Sequence, residues 1–321
     1  MTSNKYAVLV GCNYPNTQNE LHGCVNDVVG MKSTLLTRFG FGKENIELLI
    51  DTDESYTKPT GENIRKALLN MVGKAKGGDV LFFHYSGHGT IIPIHHHKDE
   101  CIVPCDFNFL TDEDFREIVN QVPEGASFTM VSDSCHSGGL IDKEIEQIGP
   151  HGQAQTANTC EITEEERKKS KFLPLDSILQ VLREKTGQAE LEGDDIKTAL
   201  FDLFGGNSSC KVKKQFEGVR EFVAEQARVD EDMGILLSGC QSDETSADAC
   251  PSGNLEEAFG AFTNAIQMVL GEHPGPISNK ELVLSARKLL LRDEYSQHPC
   301  LYCSNRNADA NFLFEQSNNP K

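Results

Sequence analysis

The chain has 321 residues, enough for one large α/β domain or two small ones. With 38% hydrophobic and 25% charged residues, its composition is that of a globular protein and not of a disordered one. A formal net charge of −19 repels nucleic-acid phosphates and anionic membranes and attracts basic peptides, so neither nucleic acid nor membrane is expected as a partner.

Residues 1–4 are polar, and the apolar run at 6–10 is too short for a secretory leader. No apolar run approaches the roughly 20 residues that span a bilayer. The 11 cysteines are odd in number and scattered, which predicts reduced thiols in the cytosol.

In chain order, residues 6–10 read as a buried strand, followed by a helix with Cys24, Val28, Met31 and Leu35 on one face. Residues 46–50 form the next strand; Thr60 then caps a helix carrying Ile64, Leu68 and Met71. Strands follow at 80–83 and 128–131, and the stretch from Ile91 to Glu100 reads as a loop. From Gly149 to Ser170 the chain is polar and is expected to be an exposed linker. Loose helical spacing runs from Leu173 to Ala227, a fifth strand lies at 235–237, and Ala258, Phe262, Ile266 and Val269 mark another helix. Ser278 with Glu281 makes a capping box before Leu282, Ala286 and Leu289. Strands apolar on both faces, alternating with helices, predict an α/β fold with a mostly parallel central sheet and helices on both faces. One domain is expected, built from a large part (1–148), a linker with some helix (149–230) and a small part (231–321).

Two of these strands end in chemistry. The strand at 80–83 runs into His84-Tyr85-Ser86-Gly87-His88-Gly89, and the strand at 128–131 into Asp133-Ser134-Cys135-His136-Ser137-Gly138-Gly139. Sites in open α/β sheets form outside the carboxyl ends of the strands. A thiolate attacks carbonyls, and a nearby imidazole takes its proton and returns one to the leaving amine. Flanking glycines let a substrate backbone approach and leave N–H groups for an oxyanion hole, with Gly89 and Cys135 as the candidate donors. The separation of 135 − 88 = 47 residues fits the caspase spacing of about 50. Cys135 is therefore the candidate nucleophile and His88 its partner, with His136 a weaker alternative base. The plain alternative for Cys135 is an ordinary buried thiol.

These two motifs resemble the catalytic motifs of metacaspases, caspase-like cysteine peptidases. The resemblance extends to Gly11-Cys12-Asn13-Tyr14-Pro15, Gly23-Cys24-Val25-Asn26-Asp27, Ile102-Val103-Pro104-Cys105-Asp106 and Ser238-Gly239-Cys240-Gln241-Ser242-Asp243-Glu244-Thr245. The absence of a proline-rich segment before the first motif and the presence of a linker resemble plant type II metacaspases. The short linker and Gln297-His298-Pro299-Cys300-Leu301-Tyr302-Cys303 look most like the metacaspase-9-like branch.

The resemblance implies a caspase-like fold and cleavage of protein and peptide substrates after Arg or Lys. It puts Asp27 and Asp133 on the floor of the S1 pocket, with Cys24 and Ser86 on its walls; in some relatives the position of Cys24 also supports catalysis. The plain alternative for Asp27 is a helix N-terminal carboxylate. The resemblance further implies a zymogen that cuts its own linker, with Lys171 in Ser170-Lys171-Phe172-Leu173-Pro174-Leu175 as P1. Arg167, Lys168 and Lys169 are alternatives, with Lys211, Lys213, Lys214 and Arg220 further on. It implies a role in plant cell death or stress proteolysis, in a monomer of the cytoplasm that is also released unconventionally to the apoplast. Where relatives carry an acidic cluster after the catalytic His, this chain has Asp99 and Glu100 beside His95, His96, His97 and Lys98. No cofactor, calcium included, is therefore expected, and activation in mild acid is. Two other readings stand beside this one: a catalytically silent scaffold of the same fold, and a redox or metal-binding protein. For the latter, Cys300 and Cys303 have zinc-ligand spacing but lack a second pair.

Overall fold

The computed structural model describes residues 3–94, 97–135, 138, 140, 145–149, 170–216, 234–241 and 244–313. A seven-stranded sheet forms its centre. The strands are β1 (Lys5–Gly11), β2 (Ile46–Ile50), β3 (Val80–Ser86), β7 (Ser127–Asp133), β8 (Glu146–Ile148), β9 (Ile235–Ser238) and β12 (Cys300–Tyr302), in the order β2-β1-β3-β7-β9-β12-β8. The first five in that order run parallel; β12 and β8 pair antiparallel at one edge. The sheet is thus mostly parallel, as the unbroken apolar strands predict. Pairing of Thr129 with Ile235 puts the last third of the sequence into the same sheet as the first.

Side chains alternate across the sheet. Val8, Val10, Leu81 and Phe83 join one core with α2 (Gly61–Lys74) and α3 (Asp112–Val119). Ala7, Leu9, Phe82 and Leu237 join a second core with α1 (Cys24–Arg38), α7 (Ala261–Glu272) and α8 (Asn279–Arg292). Thr60 and Ser278 cap α2 and α8 through the N–H groups of Asn63 and Glu281, as read from the sequence.

The structure corrects three readings. The stretch after His88 is not a loop but a hairpin of β4 (Gly89–Ile94) and β5 (His97–Ile102), joined by β6 (Leu110–Thr111) in a separate three-stranded antiparallel sheet. β3 and β7 also run further than their apolar cores, through Ser86 and Asp133, because each polar residue there has a buried partner. Ala258 precedes the helix it was assigned to, which starts at Ala261. Between Leu173 and the small part lie α4 (Leu175–Thr186), α5 (Ile196–Phe204) and α6 (Cys210–Phe216), while 150–169, His136, His95, His96 and Arg220 lie outside the described residues. A short pair, β10 (Asp248–Ala249) and β11 (Phe259–Gly260), leads into α7, and α9 (Asn305–Asp309) follows β12.

Phe312, fully buried, stacks edge-on against Phe39 and Phe82 at 5.7 and 6.1 Å and fastens the segment after α9 to the second core. Phe312→Ala is expected to cost roughly 3–5 kcal/mol of folding stability, read as a lowered midpoint in denaturant titration.

Candidate active site

β3 and β7 are paired to their last residues, Ser86 opposite Asp133. His88 and Cys135 each follow two residues later, so adjacent parallel strands deliver both to the same sheet edge. Gly87 and Gly89 are required there. A Cβ on Gly89 would collide with the Cys135 carbonyl, and one on Gly87 would meet the Tyr85 hydroxyl at 2.5 Å.

The His88 backbone is gripped from both sides. Its N–H donates to Tyr14 Oη at 2.9 Å, and its carbonyl accepts from Tyr85 Oη at 2.8 Å. Tyr14 Oη in turn donates to the Val103 carbonyl at 2.5 Å, and the Tyr14 ring lies 4.8 Å from the imidazole. Tyr14 sits in the left-handed region at φ 51°, held there by Asp51, which accepts from the Asn13 and Tyr14 N–H groups at 2.9 and 2.7 Å. The same loop brings the Asn19 carbonyl to His88 Nε2 at 2.8 Å. A carbonyl only accepts, so Nε2 carries the hydrogen and Nδ1 is the basic nitrogen. Nδ1 has no hydrogen-bond partner among the described residues. Burial lowers the His88 pKa, opposed by the Asn19 and Lys171 carbonyls. His84 is a different case: burial lowers it to about 3, and its Nε2 pairs with the Thr263 hydroxyl at 3.1 Å.

The Cys135 sulfur is buried and accepts from the Ser246 N–H at 3.0 Å. It lies 3.9 Å from the Ser170 hydroxyl. The segment from Ser170 to Leu173 runs through the site, with isolated bridges from Ser170 to Ala247 and from Phe172 to Gly89. Lys171 N–H donates to the Ser246 carbonyl at 2.8 Å, and the Lys171 carbonyl accepts from Gly89 N–H at 2.9 Å.

The Lys171 side chain is fully buried and enters a pocket built by both halves of the chain. Its ammonium lies 3.2 Å from Asp133 Oδ1 and 3.5 Å from Asp27 Oδ2, and donates to Ser86 Oγ at 2.9 Å and the Asp133 carbonyl at 3.2 Å. Ser86 Oγ donates to Asp27 at 2.6 Å. Burial opposes the Lys171 charge; Asp133, Asp27 and Asp248 outweigh it and hold the ammonium well above the lysine range. Burial pushes the Asp27 carboxyl up to about 7, against the pull of Lys171. Asp27, Asp133 and Ser86 therefore converge on one cation, and Cys24 lies buried at the start of α1. Asp27 also lies in the first turn of α1, so the helix-terminus alternative and the pocket describe the same side chain.

Several contributors escaped sequence reading. Gly260 N–H donates to both Asp27 oxygens at 2.9 and 3.0 Å, and a Cβ there would collide with Lys171 Nζ and both carboxylates. Thr263 N–H, in the first turn of α7, donates to Asp133 at 2.8 Å. Asp248 accepts from His22 and Gly23 N–H at 2.8 and 2.9 Å and fixes the start of α1. Gln297, within a quoted motif, holds Ala247 N–H at 3.0 Å and the Gly239 carbonyl at 2.9 Å. Among the described residues no group of three or more His, Cys, Asp or Glu is placed to hold a metal, and Cys300 instead lies in β12.

Residues 4–310 match the caspase domain family. The chain is 52% identical to metacaspase-9 of Arabidopsis thaliana, over 98% of both chains. It belongs to the metacaspases. Metacaspase-6 of the same plant is 44% identical over 96% of this chain and 99% of its own. The crystal structure of protein GSU0716 from Geobacter sulfurreducens shares the fold, with a TM-score of 0.64 at 17% identity, covering 98% of this chain and 100% of that one. As a metacaspase the chain is a cysteine endopeptidase, a hydrolase acting on protein substrates.

In this metacaspase the Tyr14 hydroxyl touches the backbone of His88 and not the pocket. Tyr14→Phe keeps the ring beside the imidazole and removes the acceptor. It is expected to lower kcat about tenfold, one hydrogen bond's worth of alignment, with KM for a peptide substrate unchanged in steady-state assays.

Proposed function

We propose that this metacaspase cleaves after Lys or Arg with Cys135 as nucleophile and His88 as proton carrier, and that it is a zymogen that processes itself after Lys171. The observation carrying this reading is Lys171 itself. Its side chain fills the acidic pocket, and its carbonyl rests on the Gly89 N–H. In this reading Nδ1 of His88 takes the thiol proton and Cys135 Sγ attacks the Lys171 carbonyl. Gly89 and Cys135 N–H groups stabilise the oxyanion, and His88 protonates the departing Phe172 nitrogen. Arg and Lys both satisfy a pocket floored by two carboxylates, with Cys24 and Ser86 beside them. The linker expectation of exposure stops at this residue, which is buried because its charge is neutralised there.

We further propose that no cofactor is needed and that activation occurs in mild acid without calcium. Asp99, of the short acidic stretch, is already paired with the Lys211 ammonium at 2.5 Å, which also meets Asp112 at 2.6 Å. The lowered His88 pKa moves the loss of the neutral base toward more acid pH. Plant cell death or stress proteolysis, a monomeric state, and a cytoplasmic site with additional release to the apoplast rest on the family resemblance. No helix among the described residues is long and apolar enough to cross a membrane.

Amino-terminal sequencing of fragments from active protein is expected to return Phe172, and Cys135→Ala protein to stay whole. An intact first cut elsewhere contradicts Lys171. In a chelator, processing is expected to match that in added calcium, and an absolute calcium requirement contradicts the second proposal. The acidic limb of the processing rate is expected to fall below about pH 6.5, the ordinary histidine value, because a lowered pKa keeps the base neutral until more acid is present.

A further inference from the structure

The segment that leaves after cleavage is held as firmly as the segment that stays. Leu173 N–H donates to the Gly89 carbonyl at 3.0 Å, and its own carbonyl accepts from the Thr90 hydroxyl at 2.8 Å. The Leu173 side chain is 1% exposed. Two residues on, α4 begins, and Ile178 and Leu182 of that helix are buried in the first core. On the other side, Lys171 keeps its N–H bond to Ser246 and its ion pairs. None of these interactions uses the Lys171–Phe172 bond, so none is lost when it breaks.

We propose a second activity for this site, resting on the Lys171 processing reading: it reseals its own broken bond. In the forward step the Cys135 thiolate bonds to the Lys171 carbonyl carbon, the bond to Phe172 nitrogen breaks, and that nitrogen takes a proton from His88. In the return step the Phe172 amine gives a proton to His88 and attacks the thioester carbon. The carbon–sulfur bond breaks, and the thiolate and peptide are restored. Water competes by the same attack and yields the Lys171 carboxylate. A tethered, aligned amine has an effective concentration of ~10⁵–10⁸ M, against about 55 M for bulk water. Return therefore outruns hydrolysis until the segment from Phe172 leaves the cleft. The clip at Leu173, and not the acylation chemistry, sets the pace of processing.

The test measures how fast the Phe172 amino terminus appears in full-length protein, with and without hydroxylamine, beside a Cys135→Ala control. Hydroxylamine captures the thioester before it returns. The expected result is a several-fold faster appearance of Phe172, with the large fragment ending in a hydroxamate. Hydroxamate formation at an unchanged rate overturns the proposal, since acylation is then already irreversible. If Phe172 never appears while the protein still cuts a peptide with Arg at P1, the processing reading itself fails and takes this one with it. Leu173→Ala, which loosens the clip, is expected to speed processing without hydroxylamine and to blunt the hydroxylamine effect; slower processing, or an undiminished hydroxylamine effect, contradicts it.

Discussion

One buried ammonium between two buried carboxylates organises this molecule. Two carboxylates brought together out of water are unfavourable unless a cation joins them or one takes up a proton. Asp27 is already pushed up to about 7 with Lys171 in place, so the pair is poised against its own charge. Any basic side chain that reaches it is drawn in. Here that side chain is Lys171, whose carbonyl accepts from the Gly89 N–H.

That pocket exists only because distant parts of the chain are joined. Asp27 comes from the start of α1, Asp133 from the end of β7, and their backbone donors from Gly260 and Thr263 near the start of α7. Asp248 ties the small part back to His22 and Gly23. The surroundings of Cys135 are likewise shared: it follows β7, yet its sulfur takes the N–H of Ser246. The acidic pocket and the Cys135 environment therefore both depend on the pairing of β7 with β9 that unites the two parts in one sheet.

Strands buried on both faces were plain in the sequence because their apolar runs are unbroken, and β2 coincides with its run. The ends of β3 and β7 were hidden because His84, Tyr85, Ser132 and Asp133 are polar, and only tertiary partners justify burying them. The β4–β5 hairpin was read as a loop since Pro93 and the clustered histidines break any strand pattern. His88, Cys135, Asp27 and Asp133 were legible through motif and chemistry. Tyr14, Gly260 and Asp248 were not, because each acts through backbone groups far away in the sequence, for which spacing carries no signal.

The central claim is that Lys171 occupies the place of a substrate side chain. It is tested most directly by titrating a peptide with Arg at P1 into Cys135→Ala protein, with and without the second change Lys171→Met. The account predicts little binding to the parent and clear binding once the ammonium is removed. Equal affinity for both proteins would contradict it.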